Sequence, residues 1–262
     1  MAFIQDNRTI IEEIQMTGQY KGKTAYVFNL MGRRAGFTST SAYNDIREFN
    51  ASGGGATAVN TELSNNTLDI VSSSASDGGA GIGALTVKVV YINNAGALLQ
   101  SGVITLNGTT PVPSVLTNVN AVLWMEVFTV GSNLTAVGNI ILRISGGGAT
   151  TEQISAGGNK SLSAKALIPT GYTGYISNFF ASSQGAEQVV RIRAAKDSLT
   201  NVVGTVYNFV DTLSISSGNV GIKEVPMIKL LQNTRIKVST ISSALAAGNK
   251  VEVSFVLILI AN

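Results

Sequence analysis

The sequence predicts an all-β protein, and three observations carry that prediction. Most apolar runs alternate with a period of two and are rich in Val, Ile and Thr, the pattern of strands with one buried face. Clusters of Gly, Ser and Asn punctuate the chain at short intervals, and its 28 glycines in 262 residues exceed the usual share of roughly 7%. Charged residues make up only 13%, about half the ordinary proportion. The expected arrangement is two tandem β-sandwich or jelly-roll-like domains, residues 51–145 and 146–262, preceded by an N-terminal arm, residues 1–50, with a short helix.

The arm comes first. Thr9-Ile-Ile-Glu12 has the form of a capping box, and Ile10, Ile11 and Ile14 fall on one helical face. So short a helix is marginal alone and has to pack on the body or on a neighbour. Lys21, Lys23, Arg33 and Arg34 come next, with a candidate strand, Thr24 to Leu30, between them. Beyond the turn cluster Asn50-Ala-Ser-Gly-Gly-Gly-Ala56, strands are expected at Leu68–Ser73, Ala84–Ile92, Leu98–Leu106, Ala121–Val130 and Gly138–Ser145. Ser145-Gly-Gly-Gly-Ala149 marks the second domain boundary. After it come Ser161–Ile168, Gly174–Ser182, Gln188–Ala195, Val202–Asp211, Thr234–Ile241 and Lys250–Ile260. In Gln188–Ala195 the alternation turns Arg191 and Arg193 to solvent. Trp124 is expected in a core or interface, on one face with Val122 and Glu126. The last strand is apolar on both faces from Phe255 onward, which calls for cover on both sides or a subunit contact.

Little chemistry is available to this composition. The chain has neither Cys nor His, which removes disulfides, thiolate nucleophiles, zinc-thiolate clusters and imidazole bases. Gly79, Gly81 and Ala84 match the G-x-G-x-x-A spacing of dinucleotide-binding loops. The next residues, Leu85 to Ile92, read as a strand, and without a helix N-terminus there is no phosphate cradle. The fifteen carboxylates are dispersed, with no calcium-loop spacing and no evident acid pair. No enzymatic activity, cofactor or metal is expected. A net charge of +3 is too mild for direct nucleic-acid binding. The start of the chain lacks a signal-peptide pattern, and its longest apolar run, Phe255 to Ala261, is far short of a membrane span.

Two stretches are more specific: "TLNGTTPV", from Thr105, and "IPTGYTGYI", from Ile168. Together with the surrounding run from "LDIVSSSASDGG" to the C-terminal "RIKVSTISSALAAGNKVEVSFVLILI", they resemble a family of tailed-phage virion proteins frequent among aquatic phages. The resemblance covers most of residues 65–262 and only loosely residues 1–64. It implies a particle component built from β-sandwich modules, located in the virion and not an enzyme. Relatives carry an acidic segment before the "TLNGTTPV" connection; this chain reads "LLQSG" there.

The leading expectation is a capsid-exterior decoration or cement protein, or a head–tail (neck or collar) accessory protein. It would act as a homo-oligomer, trimer favoured, with partners such as the major capsid protein. Docking would fall to Lys21, Lys23, Arg33 and Arg34, by charge, and to Ile10, Ile11 and Ile14, by apolar burial. The alternatives are a receptor-binding or tail-fibre module, with Tyr172 and Tyr175 as loop-tip recognition residues, and a double jelly-roll shell protein.

Overall fold

A computed structural model describes residues 7–37, 40–41, 43–46, 63–116, 118–195, 208–223, 228–245 and 248–262. Strand accounts for 57% of the chain and a single helix for 4%, so the all-β expectation holds. The elements run α1 (Asn7–Thr17), β1 (Gln19–Tyr20), β2 (Lys23–Ala35), β3 (Asn44–Asp45), β4 (Leu68–Ser72), β5 (Ala84–Asn93), β6 (Leu98–Gln100) and β7 (Ile104–Thr105). Next come β8 (Val112–Pro113), β9 (Val119–Val130), β10 (Ile140–Ile144), β11 (Thr150–Ile154), β12 (Lys165–Leu167) and β13 (Tyr172–Gln184). The last are β14 (Gln188–Ala195), β15 (Asn208–Ile215), β16 (Val220–Lys223), β17 (Ile228–Leu230), β18 (Arg235–Ser242) and β19 (Lys250–Ala261). Of the expected strand Val202–Asp211, residues 202–207 lie outside the described residues.

Among the described residues all pairings are antiparallel and build four small sheets. Two of them, β11-β10-β4-β8 and the sheet of β5 with β6, β7 and β9, close on one core. Leu68, Ile70, Ile140, Leu142 and Ile154 there meet Val87, Val89, Val122 and Met125. The six-stranded sheet β1-β2-β19-β13-β16, with β17 on β13, faces the sheet of β12, β18, β14, β15 and β3 across a second core. That core holds Leu30, Phe179, Val253, Phe255 and Leu257 on one side and Val190, Ile192, Ile236 and Val238 on the other.

Of the expected arm, β1, β2 and β3 take part in the second sheet pair. β2 runs antiparallel to β19 from Ala25 opposite Ile260 to Ala35 opposite Lys250, with no shift of register. β3 pairs with β18. After the second glycine break, β11 returns to β10 in the first pair. The two pairs are joined: Val90, Ile92 and Leu123, on the far face of the β5–β9 sheet, belong to the second core. Arg235 of β18 is 4% exposed and donates from Nη2 to the carbonyls of Leu63 (3.1 Å) and Asn120 (3.0 Å). Glu152 of β11, fully buried, lies 3.0 Å from Lys165 Nζ of β12 and accepts from Ser163 Oγ.

Two bulges decide which side chains face which core. Val90 pairs with Trp124 and Tyr91 with Val122, so Leu123 is the extra residue on β9. The bulge puts Val122 in the first core and turns Leu123 and Trp124 to the second, which corrects the expectation that Trp124 shares a face with Val122. The register of β13 on β19 shifts between Ser177 and Phe180, with Asn178 at φ 53°. The shift buries Phe179 and leaves Phe180 37% exposed.

The Gly-rich loop before β5 is organised by Asp77, whose side chain is fully buried. Its Oδ1 accepts from the amides of Ala84 (2.8 Å) and Val137 (2.9 Å); its Oδ2 accepts from Gly138 N (2.8 Å) and Ser72 Oγ. Gly83 packs so close that a Cβ there would sit 2.1 Å from Oδ1. Gly78, at φ 100°, has no room either, since its Cβ would meet Leu106 O at 2.2 Å. The glycines are therefore spent on close approach to a carboxylate and a neighbouring turn. A strand comes directly after them, as read from the sequence.

Candidate assembly surfaces

Helix α1 starts at Asn7, two residues before the expected cap, and ends where Gly18, at φ 67°, donates to Ile14 O at 2.8 Å. Its apolar face lies on the outside of the six-stranded sheet. Ile10 (8% exposed) and Ile14 (3%) pack with Ala25 and Ile258, and Ile11, Tyr20, Val27, Tyr175, Val256 and Ile260 surround them. Two features that pointed to a neighbouring subunit thus satisfy one another. The second apolar face of β19 is covered by the chain's own helix, and that cover is what Ile10 and Ile14 supply. Truncating Ile14 to Ala is expected to cost about 2–3 kcal/mol, read as a lower denaturant midpoint. Deleting residues 1–17 should bare Val256, Ile258 and Ile260 and give a chain that binds hydrophobic dyes and aggregates.

The four basic residues have separate environments. Lys21, at φ 50° in the β1–β2 turn, is exposed, with Nζ 5.1 Å from the Tyr20 ring centroid. Lys23 is exposed at the start of β2. Arg34 is only 6% exposed. It donates from Nε to Gly36 O, from Nη1 to Asp45 O and from Nη2 to Asn44 Oδ1, at 3.0–3.2 Å. Burial pulls its pKa below the ordinary arginine value, against the raising influence of Asp45. Its fork fastens β3 to β2. Arg33 lies on the opposite, outer face of β2, half-buried and across from Glu252.

Asp45 gathers further charge. Arg193 Nη2 donates to its Oδ1 at 2.8 Å and Lys237 Nζ to its Oδ2 at 3.2 Å. Arg191 and Arg193 stack under the Tyr43 ring, at 4.3 and 5.8 Å from its centroid. Both arginines were expected in solvent; they are half-buried because β3 lies along the edge of β18 and carries Tyr43 and Asp45 over them. Strand periodicity reports which face a residue is on, not whether another segment crosses that face.

Tyr172 and Tyr175 are not at a loop tip. Both are half-buried in β13, three residues apart and so on opposite faces. Tyr172 packs at the margin of the second core, 6.0 Å from the Tyr26 ring; burial, then Tyr26, raises its pKa. Tyr175 lies under the helix. The turn before them is held by Gly171, whose N–H donates to Gln232 Oε1 and whose carbonyl accepts from Asn262 N.

Sequence reading missed the uncovered part of the six-stranded sheet. Past the helix, Met31 (50% exposed), Phe180 (37%), Arg33 and Leu162 surround a shallow hollow on the outer face. It adjoins a cleft of about 400 Å³ between Arg33 and the Ser155–Lys160 loop. Met31 could be singled out in sequence as an apolar residue on the Arg33 face, but β13 contributes Phe180 only through the bulge at Asn178. Among the described residues no helix is long and apolar enough to cross a membrane, and no three acidic side chains cluster as metal ligands.

No family model matches the chain, and no curated protein matches it. Among solved structures it aligns with infectious bursal disease virus of the Gx strain at a TM-score of 0.23 and 11% identity, over 91% of this chain and 72% of that one. The Gt strain gives 0.22 and 11%, over 97% and 77%. The VP2 subviral particle of the same virus gives 0.22 and 10%, over 92% and 72%. Likeness at that level carries no argument about fold or function.

Proposed function

We propose that this chain is a structural component of a tailed-phage particle, placed on the capsid exterior or at the head–tail junction and acting by assembly, not catalysis. The observation that carries the reading is where the two most specific stretches of the family resemblance lie. "TLNGTTPV" forms the connection after β7, where Asn107 bridges to Gly78 and Gly108 N donates to Asp77 O. "IPTGYTGYI" forms the turn into β13 that Gln232 and Asn262 hold. Both close turns between strands, and neither contributes a residue to the hollow or the cleft beside Arg33. Work of that kind, fixing turns between strands, belongs to a scaffold.

The receptor-binding alternative loses its named site, because Tyr172 and Tyr175 do not form one surface. The test is made on purified particles of the phage encoding the chain. Mass spectrometry is expected to find it at a fixed ratio to the major capsid protein. Antibody labelling in negative stain is expected over the head or at one vertex. Absence from washed particles would reject the reading, and label confined to the tail tip would replace it with receptor binding.

A further inference from the structure

We propose that the cleft beside Arg33, with the hollow that adjoins it, binds an acidic peptide segment of a partner protein, a carboxylate in the cleft and a neighbouring apolar side chain in the hollow. The site is read from its own geometry and does not depend on the particle assignment.

Two walls form it. One is β2, which brings Met31 and Arg33 to the outer face of the six-stranded sheet. The other is the segment Ser155-Ala-Gly-Gly-Asn-Lys160, with Leu162. Arg33 N donates to Leu162 O at 3.1 Å and closes the walls together at one end. The loop is held from behind: Gly157 N donates to Ala136 O, Val127 N to Asn159 O and Ser161 N to Met125 O, at 2.8–2.9 Å. The cleft of about 400 Å³ is therefore preformed, and its size falls within the range of ligand sites.

Its charge selects the ligand. Arg33 and Lys160, both half-buried, line the cleft, and among the described residues around it there is no acid. In a chain with only 13% charged residues this concentrates one sign. Glu126, the bridge partner of Lys160, does not line the cleft, and Lys160 Nζ lies 5.2 Å from the Trp124 ring centroid. Glu252, across from Arg33, lines the hollow and not the cleft, which leaves the positive end at Lys160. Lys160 also offers backbone. The bonds at residues 159 and 161 go to β9, so alternation turns the N–H and C=O of Lys160 the other way, to the side on which Leu162 O meets Arg33. A peptide main chain finds a donor and an acceptor there.

The hollow decides between a peptide and a polyanion. Met31 (50% exposed), Phe180 (37%) and half-buried Leu162 surround it. Met, aromatic residues and Arg are the types enriched where protein partners dock. A phosphate chain needs a longer run of cations and has nothing to place on Met31 or Phe180. An Asp or Glu beside a large apolar side chain satisfies both parts.

The test uses the full-length protein and a fluorescein-labelled hexapeptide, Gly-Asp-Asp-Leu-Phe-Gly, read by anisotropy. Saturable binding is expected, weakening as salt rises. The same peptide with Asn for both Asp should bind at least about tenfold more weakly. Arg33→Ala and Lys160→Ala should each lose about tenfold, and Phe180→Ser about fivefold, with melting temperatures unchanged. Lys160→Glu should reject this peptide and take up the version with Lys for Asp, a gain that a misfolded variant cannot give. Inorganic phosphate and a short oligothymidylate are expected not to displace the peptide. No saturable binding overturns the proposal, as does binding indifferent to Arg33→Ala and Lys160→Ala, or to Phe180→Ser. Displacement by phosphate or by the oligonucleotide at comparable concentration would make the cleft a general anion site and also overturn it.

Discussion

Replacing Asp77 with Ala is expected to destabilise the protein by about 4–6 kcal/mol, the largest effect of any single substitution considered. The carboxylate accepts four hydrogen bonds in a site with no access to water. Its removal strands the N–H groups of Ala84, Val137 and Gly138, and each buried donor without an acceptor costs about 1–3 kcal/mol. Those donors belong to the start of β5 and the approach to β10, so the loss falls on both sheets of the first pair. Asp77→Asn tests the cause. Its oxygen can serve Ala84 and Val137, but its amide nitrogen then faces Gly138 N–H, a donor against a donor. The reverse flip is worse, setting that nitrogen against two donors. Asn is therefore expected to cost about half as much as Ala, and Ser72→Ala only about 1 kcal/mol. Urea unfolding of the four proteins checks the order. Equal losses for Asn and Ala would show that the negative charge matters and not the count of acceptors.

The importance of Asp77 was not visible in the sequence, where it stood beside a serine run as one dispersed acid. Its donors come from residues 84, 137 and 138, and only folding assembles them. What local pattern did report is the strands whose side chains alternate against a core, such as Gln188–Ala195 and Lys250–Ala261, and the helix built on Ile10, Ile11 and Ile14. β11 escaped because Thr151, Glu152 and Gln153 look like a loop, yet all three are buried. Lys165 and Ser163 make that burial tolerable for Glu152; Lys165 begins β12, in the other sheet pair, and Ser163 lies just before it. The bulges at Leu123 and Asn178 reversed the facing of Trp124 and Phe180, since one inserted residue inverts a period of two. The partner of β2 was out of reach for another reason: Ala25 and Ile260 are joined at opposite ends of the chain, and periodicity carries no pairing information. Of the residues named for docking, Arg34, Ile10 and Ile14 pack within the chain, while Lys21 and Lys23 are exposed.

The same contrast between internal and external use sets the second large effect. Arg235→Ala is expected to cost about 3–4 kcal/mol and to lower the melting temperature by about 6–12 °C for a chain of this size. The guanidinium is anchored on β18 but reaches the carbonyls of Leu63 and Asn120, which flank β4 and begin β9. Without it, two buried carbonyls and a side-chain-sized void remain at the seam between the sheet pairs. Lysine restores the charge but not the fork, so Arg235→Lys should recover less than half of the loss. The seam also contains the Glu152–Lys165 pair and the apolar contacts of Val90, Ile92 and Leu123. With that much shared core, the native protein is expected to melt in one transition, and calorimetry is the measurement. Arg235→Ala should move that transition down as a unit. Combining it with Glu152→Gln removes the charged pair from the same seam and should split the transition in two, the halves then melting separately. A single transition at the native temperature for Arg235→Ala would mean that the apolar contacts alone join the two sheet pairs.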